Sequence, residues 1–124
     1  MPPDWLLPGP VPPEFATDEL CHITELLNDP ACPEVSLARA RVEPGVTTRL
    51  HRVMATAERY VITQGTGLVE IDGESREVRA GDRVLIPPGA AQRITNTGAQ
   101  DLIFDCICTP RFDPAAYIDI DRAK

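Results

Sequence analysis

The sequence has little positive charge and no long apolar stretch. Its 124 residues contain 12 lysines and arginines against 19 aspartates and glutamates, which gives a net charge of −7. This balance argues against a nucleic-acid backbone or an anionic membrane surface as the main partner, because both attract basic surfaces. No apolar run approaches the roughly 20 residues that cross a bilayer. We therefore expect one globular domain without a nucleic-acid or membrane partner, and the hydrophobic fraction of 43% is enough for a packed core.

An export signal and a clustered cysteine motif are also missing. The segment MPPDWLLPGPVPPEF has no basic region and is interrupted by prolines, unlike a secretory signal. We therefore expect a cytoplasmic protein with reduced thiols at Cys21, Cys32, Cys106 and Cys108. Cys106 and Cys108 fall on one side of a predicted strand, so a two-thiolate metal clamp is an alternative to ordinary packing. No CxxC motif or cysteine–histidine cluster supports that alternative.

The chain divides into an arm, a domain and a tail. Six of the 13 prolines lie near the start, so residues 1–15 are predicted to form an extended arm. The tryptophan and two leucines of this arm need an apolar surface, either on the same domain or on a partner subunit; a disordered tail is the alternative. Residues 16–112 form the predicted domain, and residues 113–124 form a tail with a short helical turn.

Strand and turn signals recur about every 8 to 12 residues from Ser36 onward. The strongest is Asp72-Gly73, a two-residue hairpin signal between alternating segments. This spacing predicts an all-β sandwich or barrel. Residues 16–28 are ambiguous between a short helix and a strand, and Pro30 ends whichever forms.

Three polar residues of the predicted strands are placed to meet inside such a barrel. Side chains alternate between the two faces of a strand, so three inner faces can carry His51, Glu58 and Gln92. They would offer an imidazole nitrogen, a carboxylate and an amide oxygen to one centre. Donors fixed on three strands lose little entropy on binding, which favours a divalent metal site. A buried hydrogen-bonded trio without a metal is the alternative.

Two glycine-bounded motifs in this region resemble those of the cupin family. The residues that keep the cupin spacing are Gly45, His51, Val53, Glu58 and Gly65 in the first motif, and Gly81, Pro87, Pro88, Gly89, Gln92 and Asn96 in the second. The resemblance covers residues 36–109 and implies an all-β double-stranded β-helix, the jelly-roll-like cupin barrel, here with an extended N-terminal arm. It also implies a homodimer, which the apolar arm favours.

The resemblance further implies a metal site, with altered donors. A typical cupin binds its metal through two histidines and a glutamate of the first motif and one histidine of the second. Here His51 and Glu58 match, whereas Val53 and Gln92 stand in place of the other two histidines. We predict that His51, Glu58 and Gln92 bind a divalent ion such as Mn, Fe, Ni or Zn, with open positions for water or substrate. His22 would complete the ligand set if its segment forms a neighbouring strand.

Arg49 and Tyr60 are the candidate substrate-binding residues. Arg49 shares the predicted face of His51, where its guanidinium would meet a carboxylate or phosphate; pairing with a surface acid is the alternative. Tyr60 follows Glu58 on the inner face and would orient a ligand or donate a proton, and the alternative is a plain core position.

Two functions fit these residues. The first is a metal-dependent enzyme that acts on a small polar organic molecule, of oxygenase, isomerase or lyase type, because open metal positions allow Lewis-acid chemistry. The second is a module that binds or senses a small molecule without turnover, since no further acid or base accompanies Glu58, itself a predicted ligand. A fold alone does not decide between them.

Overall fold

The computed structural model of the protein describes residues 5–122 and contains two antiparallel sheets. In chain order the described elements are β1 (Phe15–Ala16), β2 (His22–Leu27), β3 (Ser36–Val42), β4 (His51–Val53), β5 (Ala57–Gln64), β6 (Thr66–Ile71), β7 (Glu74–Arg79), β8 (Arg83–Ile86), β9 (Gln92–Asn96), β10 (Leu102–Thr109), a 3-10 turn (Pro114–Ala116) and β11 (Tyr117–Asp119). One sheet has the order β1-β2-β3-β10-β5-β8, and the other β11-β4-β9-β6-β7. The architecture confirms the predicted all-β double-stranded β-helix.

The core lies between the two sheets and is filled from alternate strand positions. Along β5, Glu58, Tyr60 and Ile62 are buried, and the residues between them are not. β9 alternates in the same way from Gln92 to Asn96. Every second side chain of these strands points inward, so the inner faces supply both the apolar core and the polar site. Well-buried apolar side chains of this core are Val42, Ile62, Ile94, Leu102 and Phe104.

The strand order brings distant parts of the chain side by side. β10 lies between β3 and β5, and its register places Cys108 opposite Glu58. In the other sheet, β4 pairs with β9 through His51 and Gln92. The six-stranded sheet therefore carries Glu58, and the five-stranded sheet carries the other two predicted metal ligands.

Two turns show why particular residues connect the strands. Asp72 and Gly73 have φ angles of 49° and 85° and join β6 to β7, which confirms the predicted hairpin. Gly65, between β5 and β6, has a φ of 88°. A Cβ at Gly65 would lie 3.0 Å from the backbone oxygen of Asp101, so this position needs glycine for space as well as for conformation.

The segment that the sequence left ambiguous forms strands. β1 pairs with β2, and β2 extends the sheet beyond β3. Before them, residues 5–14 form neither helix nor strand, and Trp5 is 91% exposed. The arm contacts the barrel through Glu14, whose carboxylate accepts two hydrogen bonds from Arg41. The first four residues of the predicted arm and the last two of the predicted tail lie outside the described residues.

The segment after residue 112 contains the predicted helical turn and then a further strand. The turn is capped by Asp113, whose carboxylate accepts a hydrogen bond from the Ala115 N–H. β11 then pairs with β4, so that Asp119 lies opposite His51. The predicted tail thus borders the strand that carries the candidate ligand. In the part of the chain that the structure describes, no helix is long and apolar enough to cross a membrane.

Candidate functional site

The three predicted metal ligands all point into the interior. The exposed fractions of His51, Glu58 and Gln92 are 5%, 6% and 2%. Two of them are in contact, because Gln92 Nε2 donates to Glu58 Oε1 over 2.5 Å. Gln92 Oε1 accepts a hydrogen bond from the Tyr60 hydroxyl, also over 2.5 Å. An ionised carboxylate can only accept, which places the amide nitrogen toward Glu58 and the oxygen toward Tyr60.

The His51 ring is held by a carbonyl, a carboxylate and an aromatic ring. Its Nδ1 lies 2.8 Å from the carbonyl oxygen of Arg49 and 3.5 Å from Glu19 Oε2. Tyr117 stacks on the imidazole, with ring centroids 4.9 Å apart and planes inclined by 22°. A carbonyl oxygen only accepts, so Nδ1 carries the hydrogen, and Nε2 is the accepting atom of the neutral ring. Nε2 is therefore the atom through which His51 can take a proton or a metal ion.

Glu19 is a site residue that the sequence analysis missed. It precedes a backbone turn at Leu20, where φ is 73°. Its carboxylate accepts from the Cys21 thiol at 3.3 Å, and its backbone carbonyl accepts from the Arg49 N–H at 3.0 Å. Burial raises the pKa of Glu19 above its ordinary value, and the nearby imidazole of His51 offsets part of that rise. The residue lies in the segment left ambiguous above, so no strand alternation pointed to it.

Cys106 and Cys108 border Glu58 from the neighbouring strand β10. The Cys106 thiol donates to Glu58 Oε2 at 3.1 Å, and the two sulfur atoms are 4.0 Å apart. The hydrogen bond with Cys108, followed by burial, raises the pKa of Cys106 well above its ordinary value. Among the described His, Cys, Asp and Glu side chains, these three form a group whose ligand atoms all lie within 4.8 Å of one another. A metal ion held by the thiolates of Cys106 and Cys108 would therefore have the carboxylate of Glu58 within reach as a third ligand.

These polar groups line two adjoining cavities. The smaller cavity, of about 60 Å³, is bounded by His51, Val53 and Tyr60 among others. The larger, of about 360 Å³, extends toward Phe15 and Pro114. Residues that line both cavities are Glu19, Ile23, Glu58, Cys106, Phe112 and Tyr117. A small molecule in the larger cavity would therefore contact two carboxylates at its inner end.

The remaining candidate residues differ in their relation to these cavities. Arg49 Nε donates to Asp119 Oδ2 at 3.0 Å, and Arg49 lines neither of the two cavities. Tyr60 lines the smaller cavity, and burial raises its pKa well above the ordinary value, so its phenol is a neutral donor. His22 Nε2 lies 3.3 Å from Glu43 Oε1, and His22 is not among the residues that line either cavity.

The observed contacts constrain how a metal would bind to the predicted set. Val53 is buried beside His51 and offers no donor atom. The amide of Gln92 is engaged at both ends, by Tyr60 and by Glu58. A cation bound by His51, Glu58 and Gln92 would therefore replace at least one of these hydrogen bonds. Ligation by the three residues stays a prediction.

Comparison with known protein sequences gives a family and two relatives. A family model described as "Cupin domain" matches residues 38–108. An uncharacterized protein of Methanocaldococcus jannaschii is 39% identical over 77 residues, which are 62% of this chain and 62% of that protein. An oxalate-binding protein of Thermotoga maritima is 34% identical over 67 residues, which are 54% of this chain and 55% of that protein. The chain thus spans less than two thirds of the length of either relative.

Solved structures share the fold at low sequence identity. Pac13, described as a unique nucleoside dehydratase, has a TM-score of 0.74 at 16% identity, covering 88% of this chain and 84% of that chain. A Streptomyces PAC13 variant with uridine has a TM-score of 0.77 at 15% identity, covering 94% and 93%. KdgF from Halomonas sp. has a TM-score of 0.73 at 16% identity, covering 83% and 92%. At these identities the likeness establishes the fold alone.

Proposed function

The chain belongs to the cupin domain family, and we propose that it is an enzyme that binds a small, neutral, hydroxyl-rich organic molecule in the larger cavity. In this proposal the inner end of the ligand reaches His51, which lines the adjoining smaller cavity, and His51 takes a proton from it. The observation that carries the proposal is the pair formed by His51 and Glu19, with 3.5 Å between Nδ1 and Oε2. A carboxylate beside one ring nitrogen stabilises the charge that develops when the other nitrogen accepts a proton. His51 Nε2 is the base in this proposal, and Glu19 supports the imidazolium.

The charges around the larger cavity favour a neutral ligand. Asp18, Glu19, Glu25 and Glu58 line it, and none of its described lining residues is a lysine or arginine. An anionic ligand would be repelled by these carboxylates, whereas a neutral polyol donates hydrogen bonds to them. Uridine, with which a structural neighbour was solved, is an example of a neutral ligand. Oxalate, in the name of a relative, is an example of an anionic one. In this chain the acidic side chains that line the larger cavity support a neutral ligand.

The second candidate is the metal-dependent enzyme predicted from the sequence. It is favoured by the carboxylates of Glu19 and Glu58, whose charge a divalent ion such as Mn, Fe, Ni or Zn would balance. In this candidate His51, Glu58 and Gln92 hold the ion, which would supply a Lewis acid beside the substrate. Tyr60 would then position Gln92 through its hydroxyl.

The test is a binding and proton-exchange measurement on metal-stripped protein. Nucleosides and sugars are screened by saturation-transfer NMR with oxalate as the anionic comparison. Bound compounds are then followed by mass spectrometry for deuterium uptake from D2O at carbon, because hydroxyl protons exchange with water without a catalyst. His51→Asn should lower the exchange rate by at least about 100-fold, the contribution typical of a general base. His22→Asn is the matched control and should leave the rate unchanged, because His22 lines neither cavity.

The other outcomes separate the candidates. Exchange that needs added metal would favour the metal-dependent enzyme over the metal-free base. Binding without exchange would favour a module that binds without turnover, and binding of oxalate alone would contradict the neutral-ligand proposal.

We also propose that the protein is a cytoplasmic homodimer. In the described part of the arm, Trp5 is 91% exposed, Leu6 57% and Leu7 47%, so these apolar side chains leave surface for a second copy to cover. All four cysteines are free thiols, as expected in a reducing compartment. Light scattering on the whole chain and on a chain without residues 1–13 tests the dimer, which should dissociate when the arm is removed.

A further inference from the structure

A second group of donor atoms lies on the wall of the larger cavity and takes no part in the proposed proton transfer. Glu58 and Cys108 are directly opposite each other on β5 and β10, and Cys106 lies two residues earlier on the same face of β10. Cys106 Sγ is 3.1 Å from Glu58 Oε2 and 4.0 Å from Cys108 Sγ. All three side chains line the cavity of about 360 Å³.

The separations between these atoms are close to those of a tetrahedral metal shell. Zinc lies about 2.3 Å from a cysteine sulfur and about 2.0 Å from a carboxylate oxygen, so tetrahedral angles place two sulfurs about 3.8 Å apart and a sulfur and an oxygen about 3.5 Å apart. The observed sulfur–sulfur distance is 4.0 Å and the observed sulfur–oxygen distance is 3.1 Å. The third pair, the sulfur of Cys108 and a carboxylate oxygen of Glu58, lies within 4.8 Å.

The charge of Glu58 points independently to a cation. The residue is 6% exposed. Among residues 5–122 no lysine, arginine or histidine forms an ion pair with its carboxylate. Its hydrogen-bond donors are the amide of Gln92 and the thiol of Cys106, both neutral. A buried carboxylate without a cationic partner is costly, and a bound metal ion would supply that partner.

We propose that Glu58, Cys106 and Cys108 bind one thiophilic divalent ion of the zinc class, with a fourth position open to the cavity. Two sulfur ligands favour such an ion over Mn or Mg, which prefer oxygen. Three protein ligands with one open position are typical of zinc sites that take substrate or water. Gln92 is a positioning residue here, since its amide holds Glu58 Oε1 and leaves Oε2 facing the sulfur atom of Cys106. The site does not depend on proton transfer by His51.

The test is a titration of the reduced, tag-free protein with cobalt(II), followed by displacement with zinc. One equivalent of cobalt should give sulfur-to-metal charge-transfer absorption and the intense visible bands of a tetrahedral ion. Cys106→Ser and Cys108→Ser should each weaken binding by at least about 100-fold, because even the loss of an outer partner costs about 10–100-fold. Cys32→Ser is the matched control, since its thiol contacts Glu34 on another part of the surface.

His51→Asn separates this site from the one predicted at His51, Glu58 and Gln92. It should leave the cobalt spectrum unchanged, while it lowers the rate of the proton exchange proposed above by at least about 100-fold. If a cysteine variant does not fold, alkylation of the wild-type protein gives a second readout, in which zinc should slow the modification of Cys106 and Cys108 but not of Cys32. Cobalt binding without charge-transfer absorption in fully reduced protein would overturn the proposal. So would a spectrum that His51→Asn removes and the two cysteine variants retain.

Discussion

The side chains of Gln92 and Glu58 are hydrogen-bonded across the centre of the barrel, with 2.5 Å between Gln92 Nε2 and Glu58 Oε1. The two residues lie on β9 and β5, which belong to different sheets. The position of Gln92 carries a metal-binding histidine in a typical cupin motif. In this chain its amide instead orients the carboxylate that lines both cavities.

Removal of this amide should destabilise the fold. Gln92→Leu leaves Glu58 Oε1 and the Tyr60 hydroxyl without their hydrogen-bond partner, so we expect the free energy of unfolding to fall by at least about 2 kcal/mol. Urea unfolding measures the change. Gln64→Leu is a matched control, because Gln64 Nε2 donates to the Asp101 carbonyl in a half-buried position, and it should cost less than about 1 kcal/mol. A Gln92→Leu protein as stable as the wild type would mean that the central hydrogen bonds are not formed.

Restoring a histidine at Val53 should create a stronger metal site. Val53 is two residues from His51 on β4, and both line the smaller cavity. The added imidazole should raise the affinity for nickel or zinc by about 10-fold or more, since both ions favour nitrogen ligands. Calorimetric titration measures this, and the double variant Val53→His with His51→Asn should lose the gain. An unchanged affinity in a folded Val53→His protein would mean that the two positions do not face one centre.

The ring of Tyr117 should contribute to ligand binding through its stacking on His51. Tyr117→Ala removes this contact, and we expect the affinity for the best neutral ligand to fall about 2- to 10-fold, the range for an aromatic pair. Tyr117→Phe keeps the ring and should bind like the wild type. Burial raises the pKa of Tyr117, so the comparison applies at neutral pH without ionisation of the phenol. Equal losses in the two variants would assign the effect to the hydroxyl instead.

Glu25 should make the stability of the protein depend on pH. Burial raises the pKa of this carboxyl above its ordinary value of 4.5, and Asn28 and Arg111 offset part of the rise. The folded state therefore binds the proton more tightly, so the contribution of Glu25 to stability is present below pH 4.5 and is lost as the pH rises through the raised pKa. Glu25→Gln should gain stability relative to the wild type between about pH 4 and about pH 7. Urea midpoints across this range test the sign, and a stability difference that does not change with pH would contradict it.

The strands after Ser36 and the inward positions of His51, Glu58 and Gln92 could be predicted because strand alternation has a fixed period of two. The hairpin at Asp72 could be predicted because its turn chemistry is local. These features depend on near neighbours in the chain.

The other members of the site could not be predicted in this way. Glu19 and Tyr117 reach His51 only because the segments at the two ends of the chain fold back onto the barrel, which no local pattern specifies. Alternation predicts Arg49 on the His51 face, but β4 begins at His51, and the Arg49 guanidinium pairs with Asp119, in line with the alternative of a surface acid. The sequence indicated the shared face of the two late cysteines but not which strand would lie beside them.

The most direct test of the central claim is chemical-shift mapping of the amide resonances as the best-binding neutral compound is titrated into the metal-stripped protein. We predict that the shifts concentrate on residues that line the two adjoining cavities, among them Glu19, His51, Glu58 and Tyr117. Shifts centred instead on the outer groove formed by Thr47, Arg93, Thr95 and their neighbours, with the interior unchanged, would contradict a binding site inside the barrel.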